Sequence, residues 1–91
     1  MAGLGFQLSG EFLGTFLLIL SILISGGNAL IVGATLAIVI FLIGGISGAH
    51  VNPAISLAMV YNGAINWSTF FMYAIIQCFG AYSAVSIYQM M

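Results

Sequence analysis

Charge is almost absent from this chain. It has no Lys or Arg, and Glu11 is its only acid. A soluble domain carries about 25% charged residues; here the share is 1%, against 64% apolar residues. Such material cannot build a surface that water will wet, so lipid is the solvent this chain must fold in. Inside lipid every backbone N–H and C=O needs an internal partner, and a long apolar run meets that demand as a helix. Three runs are long enough to cross a ~30 Å hydrocarbon core, at about 6–25, 29–45 and 67–88. The second lies near the short end of the spanning range. The chain therefore reads as a multi-pass, all-α integral membrane protein, with its termini on opposite sides.

One stretch breaks the apolar pattern. Ser47-Gly48-Ala49-His50-Val51-Asn52-Pro53-Ala54-Ile55-Ser56 contains the only His and the only Pro. Asn52 suits a helix N-cap, because its side-chain oxygen can accept from first-turn N–H groups. Pro53 then falls at the first helical position, where its missing N–H costs nothing. No breaker follows until Asn62-Gly63, which predicts a helix over about 53–61. Its length of ~14 Å crosses only half the core. Irregular backbone entering a half-spanning helix is tolerated at membrane depth only when buried in protein or lining a wet cavity.

Around this stretch, single residues stand out. Glu11 lies inside the first span, where a carboxylate is expensive and is by default a functional candidate. Thr15, Leu18 and Ile22 continue its helical face. Gly10 and Gly14 form a small-xxx-small pair, better suited to helix packing than to chemistry. Ser25-Gly26-Gly27-Asn28 reads as a tight turn, and Gly44-Gly45 is expected to end the second span. Asn66 is expected to cap the third span, a stronger reading than the glycosylation acceptor spelled by Asn66-Trp67-Ser68. Trp67 and Tyr61 belong at one membrane interface and Tyr88 at the other. Tyr73 and Gln77 lie mid-span, one turn apart. They serve either plain interhelical hydrogen bonding or a role in shaping a pore.

The run Ser47 to Ser56 resembles the signature loop of the aquaporin (major intrinsic protein) family. Glu11-Phe12-Leu13-Gly14-Thr15-Phe16 is similar to that family's first helix, and Tyr73 to Ala81 to its third. The resemblance covers essentially the whole chain, but only the first half of the family's fold. It implies half of an inverted-repeat architecture: three transmembrane helices plus one re-entrant half-helix. It also implies a passive channel for water or small neutral solutes such as glycerol. On this resemblance the pore-lining residues are Gly48, Ala49, His50, Asn52, Ile55 and Val32. Glu11, Gln77, Tyr73 and Pro53 support the loop, with the buried glutamate taking hydrogen bonds from the loop and its histidine.

Three departures accompany the resemblance. The opposing half-helix is missing, and so is the arginine that follows the family's second Asn-Pro-Ala; here Ile55 follows Asn-Pro-Ala. Val32 stands where the family often has an aromatic residue. A pore built this way is expected to be wider and less selective.

Other function classes are disfavoured. There is no nucleophile–base pair and no metal-ligand set, so neither an enzyme, a metal site nor a cofactor is expected. Without basic side chains there is no nucleic-acid partner and no anionic-lipid patch. Cys78 is the only cysteine, so no intrachain disulfide forms. A cleaved signal peptide is not supported, since no positively charged n-region opens the chain. The expected partners are the bilayer, water or small polyols, and a second half. That half is either another copy, as in an antiparallel homodimer, or a complementary unit. The alternative is a non-conducting membrane interaction protein or a fragment that joins full-length channels. Orientation follows Lys and Arg in cytoplasmic loops, and this chain has none. It either inserts both ways up or takes its cues from elsewhere.

Overall fold

A computed structural model describes residues 2–91. Four helices follow one another: α1 (Leu4–Ser25), α2 (Ala29–Ser47), α3 (Pro53–Tyr61) and α4 (Trp67–Gln89). No strand occurs among the described residues. α1, α2 and α4 are long and apolar enough to cross a membrane, so the protein is a multi-pass integral membrane protein of the all-α class.

Each helix end has a local cause. α1 stops at Gly26 and Gly27, with φ of 66° and 78°; the Gly27 N–H donates to the Ile22 carbonyl at 2.9 Å. Asn28 then opens α2, its Oδ1 accepting from the Leu30 and Ile31 N–H groups at 3.1 Å each. Asn52 Oδ1 caps α3 through the Ala54 N–H at 2.8 Å, and Pro53 occupies the first turn. Asn66 Oδ1 caps α4 through the Thr69 N–H at 2.8 Å.

One expected boundary is not used. α2 does not end at Gly44-Gly45 but continues to Ser47. A mid-helix glycine costs only about 1 kcal/mol, whereas a freed backbone group in lipid costs several. The break waits for Gly48, whose φ of 91° lets the chain turn while its N–H still reaches the Gly44 carbonyl at 3.1 Å.

α1 is the central helix, packed against both α2 and α4, and α3 lies on α4. Side-chain pairings set the directions. Gln7 meets Tyr73 and Glu11 meets Gln77, so α1 and α4 run parallel. Glu11 meets Ser47, while Gly14 faces Ile43 and Val39, so α1 and α2 run antiparallel. Two glycines permit the closest approaches. A Cβ on Gly80 would lie 2.6 Å from the Phe12 carbonyl oxygen, and one on Gly14 would lie 2.7 Å from Val51.

Polarity is distributed as lipid demands. Glu11, Thr15, Ser47, His50, Ser56 and Gln77 are buried, whereas Phe6, Leu30, Phe41, Phe71 and Ile75 are exposed. The interior is a hydrogen-bonded cluster with an apolar jacket.

Candidate functional site

Five residues, Gly48 to Asn52, connect α2 to α3, and three of them have positive φ. Gly48 stands at 91°, Ala49 at 52° and Val51 at 47°. A β-branched residue in that region is a genuine outlier, costing of order 1–3 kcal/mol and persisting only where its surroundings over-determine it. Here the surroundings are Glu11.

The Glu11 side chain has no exposed surface and accepts four hydrogen bonds. Oε2 takes the Ser47 hydroxyl at 2.6 Å and the His50 N–H at 3.0 Å. Oε1 takes the Val51 N–H at 2.8 Å and Gln77 Nε2 at 2.8 Å. Ser47 Oγ in turn accepts the Ala49 N–H at 3.1 Å. Three successive loop N–H groups thus point inward, and the twisted backbone is what aims them there.

Peptide planarity then governs the other side of the loop. In a trans unit the C=O points opposite to the N–H. With the N–H groups of Ala49, His50 and Val51 turned toward Glu11 and Ser47, the carbonyls of Gly48, Ala49 and His50 turn away. None of these three carbonyls accepts a hydrogen bond from any described residue. The row leads to Asn52 and the N-terminus of α3, where Asn52, Pro53 and Ala54 are exposed and Ile55 is 39% exposed.

Behind the loop, hydrogen bonds tie it to α4. Tyr73 Oη donates to the Ser47 carbonyl at 2.7 Å. Ser56 Oγ accepts from Gln77 Nε2 at 3.1 Å and lies 2.8 Å from His50 Nδ1. Ser56 Oγ thus links Gln77 of α4 to the His50 ring of the loop. The ring also packs on Tyr73 at 5.0 Å. Two buried atoms in this region have no protein partner, Thr15 Oγ1 and Gln77 Oε1.

The residues singled out by sequence fall into three places. Glu11, Gln77 and Tyr73 lie together behind the loop. Gly48, Asn52, Pro53 and Ile55 lie on its exposed side, while Ala49 and His50 present backbone there and keep their side chains buried. Val32 is elsewhere: it belongs to the first turn of α2, about 22 Å along the helix from Ser47. Sequence reasoning assigned no role to Ser47 and Ser56, the hydroxyls that link Glu11, Gln77 and His50. Their position on either side of the loop was the available signal. Nor did it single out Val51, which is 4% exposed and sits against Gly14.

Known proteins share this sequence pattern. The family model described as "Major intrinsic protein" matches residues 4–91. Probable aquaporin NIP7-1 of Arabidopsis thaliana is 36% identical over an alignment 95 positions long, which covers 86% of this chain and 34% of that protein. Glycerol uptake facilitator protein-like 6 of Lactiplantibacillus plantarum is 38% identical over an alignment 79 positions long, which covers 78% of this chain and 37% of that protein. Aquaporin Z of Brucella melitensis is 35% identical over an alignment 95 positions long, which covers 89% of this chain and 42% of that protein. The chain thus spans between 34% and 42% of the length of these relatives. No solved structure matches it.

Proposed function

This chain belongs to the major intrinsic protein family, whose members are channels rather than enzymes, and from that premise we propose that it is one half of a passive pore for water or small neutral solutes such as glycerol. The observation that carries the reading is the row of unpartnered carbonyls from Gly48 to His50, ending at the exposed Asn52 amide. Backbone acceptors at membrane depth need partners, and a file of water molecules or polyol hydroxyls supplies them one after another.

The lane has a polarity of its own. The N-terminus of α3 carries about half a positive charge, which disfavours cations, protons included. Asn52 spends its Oδ1 on the Ala54 N–H, leaving its NH₂ to donate to a passing oxygen. Acceptors along the loop and a donor at its end orient each permeant oxygen in turn. Glu11, Gln77 and Tyr73 hold the loop, and Pro53 starts the helix; Gly48, Ala49, His50, Asn52 and Ile55 face the lane, with Val32 at its far end. One such unit cannot enclose a pore, so a second, inverted unit faces it, either another copy or a complementary half.

Osmotic swelling of liposomes holding the purified chain tests this. Water flux above that of empty liposomes is expected. In Asn52→Asp the cap is kept and the NH₂ donor is lost, so flux should fall about tenfold, the equivalent of one hydrogen bond of ~1.4 kcal/mol. The exposed α3 terminus also favours a second reading, in which the unit docks onto longer channels of the family without conducting alone. Liposomes with this chain alone then stay at the empty-vesicle rate, and the chain co-purifies with a full-length relative.

A further inference from the structure

Val51 breaks a local rule. Its φ is 47°, in a region that glycine enters without strain and a β-branched residue does not. The chain uses glycine where it needs only a turn, at Gly48, and keeps a valine here, so the side chain itself has a task. Glu11 accounts for part of the conformation. Its carboxylate holds the Val51 N–H at 2.8 Å, which fixes the peptide plane before the residue. That bond leaves rotation about the Val51 N–Cα axis open. The rotation aims the next peptide plane, which carries the Asn52 N–H and leads into α3.

The side chain closes that rotation. Val51 and Val39 are both buried, and with Ile43 they converge over Gly14 of α1. A Cβ on Gly14 would lie 2.7 Å from Val51 Cγ1, 2.9 Å from Ile43 Cδ1 and 2.9 Å from Val39 Cγ1. Val39 and Ile43 stand one turn apart on α2, so the valine branch enters a niche with a glycine floor and two aliphatic walls. Gly10, the other small residue on this face, is approached by Ile43 and Ser47 of α2 and not by the loop. Gly14 is therefore the residue that admits the loop. Every contact in the niche is apolar. In lipid such contacts hold by close packing rather than by escape from water, so their fit decides how firmly Val51 is held.

We infer that Val51 is a positioning residue: its side chain, seated over Gly14 between Val39 and Ile43, sets the angle between the carbonyl row that ends at His50 and the Asn52 amide at the start of α3. The inference rests on the proposal that those carbonyls and that amide line a permeation lane. It names the residue that joins them.

Exchanging volume across the niche tests this, by ¹⁵N relaxation of the full chain in lipid bicelles and water flux in liposomes. Val51→Ala empties the niche and keeps a residue that accepts the left-handed φ, as Ala49 does at 52°. Gly14→Ala puts a methyl where the valine branch lies. In each single variant the order parameter of the Asn52 N–H should fall from about 0.85 to below about 0.6, while the amides of Glu11 and Gln77 in the long helices stay rigid. Water flux should fall with it. The double variant Gly14→Ala/Val51→Ala refills the niche from its floor and should return Asn52 to the rigid range, a recovery that distant, independent sites do not show. Gly45→Ala, whose methyl meets nothing within 4 Å, should leave Asn52 unmoved. Val51→Ala adds no atom, so it can be read even where Gly14→Ala does not fold. A rigid Asn52 in Val51→Ala, helices that loosen as much as Asn52, or a double variant no better than the singles each overturns the inference. The two readings fail separately. Flux that Val51→Ala leaves intact, with Asn52 rigid, removes the valine's role and keeps the channel. A loosened Asn52, restored in the double variant of a chain that never conducts, upholds the positioning and removes permeation.

Discussion

At the scale of single residues, Glu11 sets the shape of the loop. It offers acceptors to the His50 and Val51 N–H groups, the Ser47 hydroxyl and Gln77. Glu11→Gln puts an NH₂ group among donors, whichever way the amide turns. At least one buried donor is then orphaned, at about 1–3 kcal/mol each. Thermal unfolding in detergent should show that loss, and water flux should fall while the ratio of water to glycerol flux stays constant. A changed ratio at unchanged stability would remove the bracing role. Tyr73→Phe deletes the hydrogen bond to the Ser47 carbonyl at 2.7 Å together with the longer contact to Gln7 Oε1 at 3.4 Å, and should cost about 1 kcal/mol. Glu11 could be singled out in the sequence because an acid inside an apolar run has no cheap explanation. Ser47 and Ser56 could not, because a hydroxyl beside a loop has many, and only their placement between Glu11, Gln77 and His50 gives them work.

The helices show where local rules hold and where they yield. Caps at Asn52 and Asn66 were readable because capping is a property of a few adjacent residues. The end of α2 was not, because Gly44 and Gly45 break helices in water, where the freed backbone is hydrated, and lipid withholds that remedy. A Cβ on Gly45 would meet nothing within 4 Å, so Gly45→Ala should stabilise the unit by up to about 1 kcal/mol. Gly80→Ala should act in the opposite sense. Its methyl would sit 2.6 Å from the Phe12 carbonyl oxygen, which is backbone and cannot rotate aside. Separating α1 from α4 should cost about 1–3 kcal/mol, read as a lower midpoint in a detergent-to-denaturant titration.

Over the whole molecule, apolar groups face out and hydrogen-bonded groups face in, across a body 38 Å long. The sole tryptophan gives a depth gauge. Trp67 lies in the aromatic cluster at the α3–α4 junction, so brominated lipids labelled near the headgroup should quench its fluorescence more than those labelled at the chain ends. Deep quenching would place the junction in the core and undo the re-entrant arrangement of α3. The solvent, the number of spans, the short helix α3 and the loop that leads into it were all legible in the order of residues. Each of these follows from hydropathy, run length or the chemistry of immediate neighbours. The direction of the loop carbonyls was not legible there and came only with packing. That direction depends on Glu11 meeting N–H groups 39 and 40 residues away, and on Gly80 letting α4 close on α1 so that Gln77 reaches the same carboxylate. Contacts over such separations leave no local pattern in a chain; they exist only once the helices have come together.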